Sequence, residues 1–148
     1  DYCCLVYLDL TSELNTRIQR ALNSGVRFIF DVRRDEHITP YYHRLNWLNV
    51  EYRRQYFLGA FIYFLFKNRA PDYLYSLFSS KEQLHLRTTR QVDTKLYTPT
   101  PRTATYQNSF YLKACRLWNS LPIGLRAKSV NTFKPHLYEH LIKSYLNQ

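Results

Sequence analysis

The chain has 148 residues, 45% of them hydrophobic, with 21 Lys and Arg against 11 Asp and Glu, for a net charge of +10. With 14 Tyr, 9 Phe, 2 Trp and only 3 Gly it can bury one core, and it is neither collagen-like, coiled-coil nor low-complexity. It has no Met and starts at Asp1, which reads as a processed or partial chain.

Residues 1–10 form a short apolar stretch, read as the tail of an upstream element. No basic region precedes it and no small-residue cleavage site follows it, so it is not a signal peptide. Thr11 or Ser12 can cap a helix running to Phe30, with Glu13 in the first turn favoured by the helix dipole. Leu14, Ile18, Leu22, Val26 and Ile29 recur at helical spacing and make one apolar face. Thr39-Pro40 announces a short second helix that carries Tyr41, Tyr42 and Leu45 and stops near Asn46. A third helix is expected from just after Asn49 to about Asn68. Its stretch 56–66 is eleven residues of nearly unbroken apolar side chains. That is short of the roughly 18–20 residues that span a bilayer, so a buried helix is expected and no membrane is called for. Ala70-Pro71-Asp72 breaks the chain before a short helix through Tyr73, Leu74, Leu77 and Phe78.

The pattern then changes. Seven Thr occupy the eighteen residues 88–105, interleaved with Pro99, Pro101 and basic residues. Extended backbone is expected across residues 79–108, with a short strand near 95–98 that leaves room for one β-hairpin. Helical spacing returns at 109–120, with Phe110, Leu112, Ala114, Leu117 and Trp118; Pro122 opens a short turn to Leu125. A last helix covers Val130 to Leu146, its buried stripe being Phe133, Leu137, Leu141 and Tyr145. The fold expected is therefore mainly α: a small helical bundle (11–78 and 109–148) joined by an extended basic segment.

Catalytic and metal chemistry finds little support. Gly25, Gly59 and Gly124 are too scattered for a phosphate loop, and neither a Gly-x-Ser-x-Gly elbow nor an Asp-Asp pair occurs. Asp31, Asp35, Glu36 and His37 cluster, but beside Arg33 and Arg34 they read as a solvated turn. His136 and His140 have a metal-ligand spacing with only Glu139 nearby, short of a structural zinc set. Three Cys, two of them adjacent, make no disulfide framework and fit a reducing intracellular compartment, nucleus or cytoplasm. Cys115 reads as a buried thiol. No enzyme activity, metal or cofactor is assigned to this chain.

Charge points elsewhere. Residues 1–80 hold 10 basic and 8 acidic side chains, and residues 81–148 hold 11 and 3. Such asymmetry marks a polyanion-facing half. Arg87, Arg90, Lys95 and Arg102, set among Thr hydroxyls, are the phosphate-contact candidates, with Arg33 and Arg34 as a second basic pair. Tyr97, Tyr106 and Tyr111 are spaced where they could stack on bases. Trp47, Trp118, Leu121 and Pro122 read as packing residues.

In order, the chain carries Ile18-Gln19-Arg20-Ala21, Val26-Arg27-Phe28-Ile29-Phe30, Arg33-Arg34, His37-Ile38-Thr39-Pro40-Tyr41 and Trp47-Leu48. Arg53-Arg54, Ala70-Pro71, Thr89-Arg90, Pro101-Arg102-Thr103 and Ser109-Phe110 follow, then Arg116-Leu117-Trp118-Asn119-Ser120-Leu121-Pro122, Leu125-Arg126 and Phe133-Lys134. This series resembles the C-terminal part of reverse transcriptases of non-LTR (LINE-type, jockey-like) retrotransposons. The resemblance implies a parent RNA-directed DNA polymerase whose Asp-Asp palm motif and endonuclease lie upstream. It implies an accessory region that contacts template RNA or target DNA and the upstream polymerase domain, and it transfers no catalytic residue. Some relatives carry a Cys/His knuckle that this sequence lacks. The other readings are a structural or interaction module packing on the polymerase, and a truncated relic of an element.

Overall fold

The computed structural model describes residues 3–78 and 95–146. Within them the chain is mainly helical, as its periodicity indicates. The helices are α1 (Ser12–Phe30), α2 (Thr39–Leu45), α3 (Val50–Asn68), α4 (Asp72–Tyr75), α5 (Ala104–Gln107), α6 (Phe110–Ser120), α7 (Ile123–Arg126) and α8 (Val130–Leu146).

Capping chemistry sets most of the starts. Thr11 Oγ1 accepts from the Leu14 amide at 3.4 Å and Asn49 Oδ1 from the Tyr52 amide at 2.9 Å. Ser109 Oγ accepts from Leu112 and Thr103 Oγ1 from Tyr106. Each supplies an acceptor for an amide left free in the first helical turn. At the other ends, Asp31, Asn46 and Arg69 turn into the left-handed region at φ 51–52° and stop α1, α2 and α3.

α3 is the centre of the bundle. Leu58, Ile62, Tyr63 and Leu65 are buried, and α1, α6, α8 and α4 all pack on it. Its main partner is α8. There Gly59 lets the helices approach closely: a Cβ at this position would lie 2.9 Å from Leu137 Cδ2. One turn on, Tyr63 stacks on Phe133 with ring centroids 4.0 Å apart and planes 13° from parallel. Tyr63 also donates to the Lys128 carbonyl at 2.8 Å, so its polar end is satisfied. On the α6 side, Phe66 meets Trp118 edge-on at 5.1 Å and Phe78 at 5.5 Å. Trp118, Leu121, Phe133, Leu137 and Leu141 are core residues as expected; Tyr145 is half-buried against Tyr52, and Pro122 is exposed at the N-cap of α7. Leu48 is buried in the α2–α3 turn, whereas Trp47 is only half-buried.

The structure adds to or departs from the sequence reading at three places. On α1 only Val26 is buried; Leu14, Ile18 and Ile29 are exposed, because the side that meets α3 is rotated toward Asn15, Gln19, Asn23 and Val26. Among the described residues no strand longer than the single bridge residue Leu96 occurs, and most of the segment in which a hairpin is expected lies outside them. Leu96 is instead latched by a side chain: its amide donates to Asn119 Oδ1 at 2.8 Å, and Asn119 Nδ2 donates to its carbonyl at 2.9 Å. Finally, α5 interrupts the stretch expected to be extended throughout, since Thr103 caps a helical turn. Residues 79–94 lie outside the described part. No helix among the described residues is long and apolar enough to cross a membrane.

Two glycines separate local propensity from packing. Gly25 is exposed with nothing within 4 Å of an added Cβ, so Gly25→Ala is expected to raise stability by about 0.5–1 kcal/mol. Gly59→Leu is expected to lower it by about 1–3 kcal/mol or more through overpacking against Leu137. Urea unfolding of both variants measures the difference; equal shifts would contradict the close α3–α8 approach.

Candidate nucleic-acid interface

A cleft of about 960 Å³ lies between α1, α3 and α6. Its floor is a polar network that joins three helices. Tyr42, fully buried on α2, donates to Asn23 Oδ1 at 2.8 Å and accepts from Gln19 Nε2 at 2.9 Å. Gln19 Nε2 also reaches Asn23 Oδ1, and Gln19 Oε1 accepts from the Val50 amide at 3.0 Å. A side chain of α1 thus satisfies an otherwise free amide at the start of α3. Burial pushes the Tyr42 hydroxyl up to about 12, with the Gln19 hydrogen bond partly opposing it. The network is therefore neutral and rigid at physiological pH.

Cations line the walls. Arg54 donates through Nη1 to Asn15 Oδ1, and Lys113 donates through Nζ to the Leu8 carbonyl. Arg116, three residues after Lys113 on α6, is exposed beside them. Glu51 is the one carboxylate in the lining. Gln55 adds a half-buried carboxamide to the α3 wall. These groups stand on helices anchored by their opposite faces, which fixes where each side chain leaves the backbone. The arrangement can hold phosphate oxygens through guanidinium and ammonium donors while offering amides to a base edge.

The residues singled out from the sequence lie elsewhere. Arg33 and Arg34 are exposed in the α1–α2 loop, which folds back on Arg27: that guanidinium donates to the Arg33 carbonyl and, at 2.8 Å, to the Glu36 carbonyl. Lys95 is half-buried at the start of the second described stretch, and Arg102 is exposed just before α5. None of these four lines the cleft. Arg87 and Arg90 lie outside the described residues. Around Arg102, Tyr97 and Tyr106 are exposed, and Tyr111 donates to the Tyr97 carbonyl at 3.3 Å. Burial raises the Tyr111 hydroxyl to about 12, with the neighbouring Cys115 thiol adding to the rise. Tyr97 and Tyr106 thus present part of their rings to solvent, where a base could stack.

Other polar features stand apart from the cleft. Cys115 is fully buried, and desolvation raises its thiol to about 11, the state of a packed, unreactive cysteine. Arg126 is nine-tenths buried on α7, and its Nε and Nη1 have no hydrogen-bond partner. His136 Nδ1 lies 2.7 Å from the Thr132 carbonyl within α8. No group of three or more His, Cys, Asp or Glu converges among the described residues.

No protein-family model, curated protein or solved structure matches this chain.

The Tyr42 network has a pH signature. Tyrosine in an unfolded chain ionises near pH 10, whereas folded Tyr42 keeps its proton until about 12. The unfolded state releases the proton first, so stability falls as pH rises from about 10 to about 12. Tyr42→Phe is expected to be less stable by about 1–3 kcal/mol at neutral pH and to show a shallower alkaline fall. Urea midpoints across that range, read with tyrosinate absorbance, measure both; an unchanged alkaline slope in the variant would contradict the assignment.

Proposed function

We propose that this chain is a helical accessory region of a non-LTR retrotransposon reverse transcriptase, holding RNA or DNA beside a polymerase carried elsewhere in the same polyprotein. In this reading the parent is an RNA-directed DNA polymerase, and the present residues supply grip and no catalytic group. The order of motifs from Ile18-Gln19-Arg20-Ala21 to Phe133-Lys134 supports the family. The work belongs inside the cell, in the nucleus or cytoplasm where the element's RNA and its target meet. Three unbonded cysteines are compatible with that compartment.

The observation that carries the binding reading is the cleft wall: Arg54, Lys113 and Arg116 converge from two helices on a recess with one carboxylate. A net charge of +10 draws a polyanion toward it. Outside the cleft, Arg102, Tyr97 and Tyr106 are exposed, adding one basic and two aromatic side chains to the surface. A second reading, an interaction module that packs on another protein, is favoured by a separate observation: the exposed apolar side of α1. The two readings use different faces and are compatible.

Fluorescence-anisotropy titrations with single-stranded RNA and DNA over a salt series test the binding reading. Grip through about six phosphates gives a log–log salt slope of about −4 to −5. Arg116→Glu changes an exposed side chain and is expected to weaken binding about tenfold or more, across all sequences alike. No affinity for either nucleic acid at low salt would overturn the proposal.

A further inference from the structure

α1 turns an apolar side to solvent that the fold does not use. Leu14 and Ile18 are each 40% exposed, Ile29 51% and Phe28 89%. Leu14, Ile18, Ala21, Gly25 and Phe28 follow one another along a single side, at helical spacing, well away from the Asn15–Gln19–Asn23–Val26 side that meets α3. The surface runs on into a groove of about 430 Å³ whose apolar lining includes Ile18, Leu22, Trp47, Val50 and Tyr7.

Gly25 gives this surface its shape. It lies mid-helix with φ in the ordinary negative range, and an added Cβ would meet nothing within 4 Å. Neither a turn nor an internal contact makes use of its missing side chain, although glycine weakens a helix. With Ala21 one turn earlier it forms a notch between Leu14 and Ile18 at one end and Phe28 and Ile29 at the other. A small-residue notch between bulky ridges is a seat for a closely crossing helix.

Charge narrows the occupant. Arg17 and Arg20 are exposed along one border, and neither is paired to a described carboxylate; Glu13 is the one acidic residue at that border's N-terminal end. A second copy of this chain would set the same arginines of two +10 molecules near each other. We propose that this side of α1 is the docking site for an α-helix of a partner protein, apolar along one stripe and acidic along its borders, crossing over Ala21 and Gly25. Leu14, Ile18, Phe28 and Ile29 supply the apolar contact, and Arg17 and Arg20 meet the acidic border. The assignment rests on the interaction-module reading; none of these side chains lines the cleft, although the adjoining groove shares Val50 and Arg54 with it.

The test uses the whole chain and a fluorescein-labelled helical peptide of about 20 residues, long enough to span α1, with a Leu stripe and Glu borders. Binding is expected to the wild type. A loss of at least about tenfold is expected with Gly25→Leu, which fills the notch, and separately with Arg17→Glu/Arg20→Glu. Gly25→Leu is expected to keep or raise the melting temperature and to leave RNA affinity unchanged, and a Lys-bordered peptide is expected not to bind. Absence of peptide binding, or binding indifferent to Gly25→Leu, overturns the proposal. So does dimerisation of the free chain that Gly25→Leu abolishes, which would make a second copy the occupant. Adhesion to phosphatidylserine vesicles lost in the same variants would give the face to a lipid surface. RNA affinity lost with Gly25→Leu would give it to the nucleic acid.

Discussion

A helix that is apolar on nearly every side has to be enclosed by other helices, and α3 imposes that demand on the rest of the chain. Leu58, Ile62, Tyr63 and Leu65 point in several directions around its axis and all are buried. The closest cover is α8, held at short range by the missing side chain of Gly59 and by the Tyr63–Phe133 stack. α6 covers a second side through Trp118 and Cys115, and α1 touches near the N-terminal end. Each covering helix spends one face on α3 and keeps the other. The exposed side of α1 is a face left over in this way, whereas the cleft lies where α1, α3 and α6 meet.

Polar chemistry decides what those remaining faces are. Where α1 meets α2 and α3, the contact is built from Gln19, Asn23 and Tyr42 rather than from aliphatic side chains. A buried hydrogen-bonded network is tolerated only when its members are satisfied, and here the Val50 amide takes the last acceptor of Gln19. This rotates α1 so that its carboxamides look inward and its leucine and isoleucine look out. One rotation therefore creates two surfaces: a polar floor for the cationic cleft on one side and an uncovered apolar strip on the other.

Much of the fold was legible because helix ends have local causes. Thr11, Asn49 and Ser109 are capping residues placed just before periodic runs, so α1, α3 and α6 begin where the sequence signals them. The α8 stripe was legible because Phe133, Leu137 and Leu141 meet an apolar partner. Whether the α1 face is covered was not legible, because periodicity identifies an apolar side without saying what is available to cover it. Its buried side is polar, and mutual satisfaction of Gln19, Asn23 and Tyr42 leaves no signature in spacing. α5 was hidden because its cap, Thr103, is one of many threonines in a Thr/Pro-rich stretch. The cleft was illegible for a different reason: Arg54, Lys113 and Arg116 come from two helices far apart in sequence and form no motif until α3 and α6 pack. Asn119 belonged to a recognised motif, yet its role as a latch on Leu96 depends on a loop reached only through the fold.

In the function proposed above, nucleic acid is held in the cleft where α1, α3 and α6 meet. Amide hydrogen exchange of the whole chain, with and without a single-stranded RNA, tests it most directly. RNA is expected to slow exchange in α6 around Lys113 and Arg116 and in the first turns of α3, while α1 around Gly25 and Phe28 exchanges as it does without RNA. Protection confined to the exposed side of α1, or exchange unchanged throughout at saturating RNA, would contradict it.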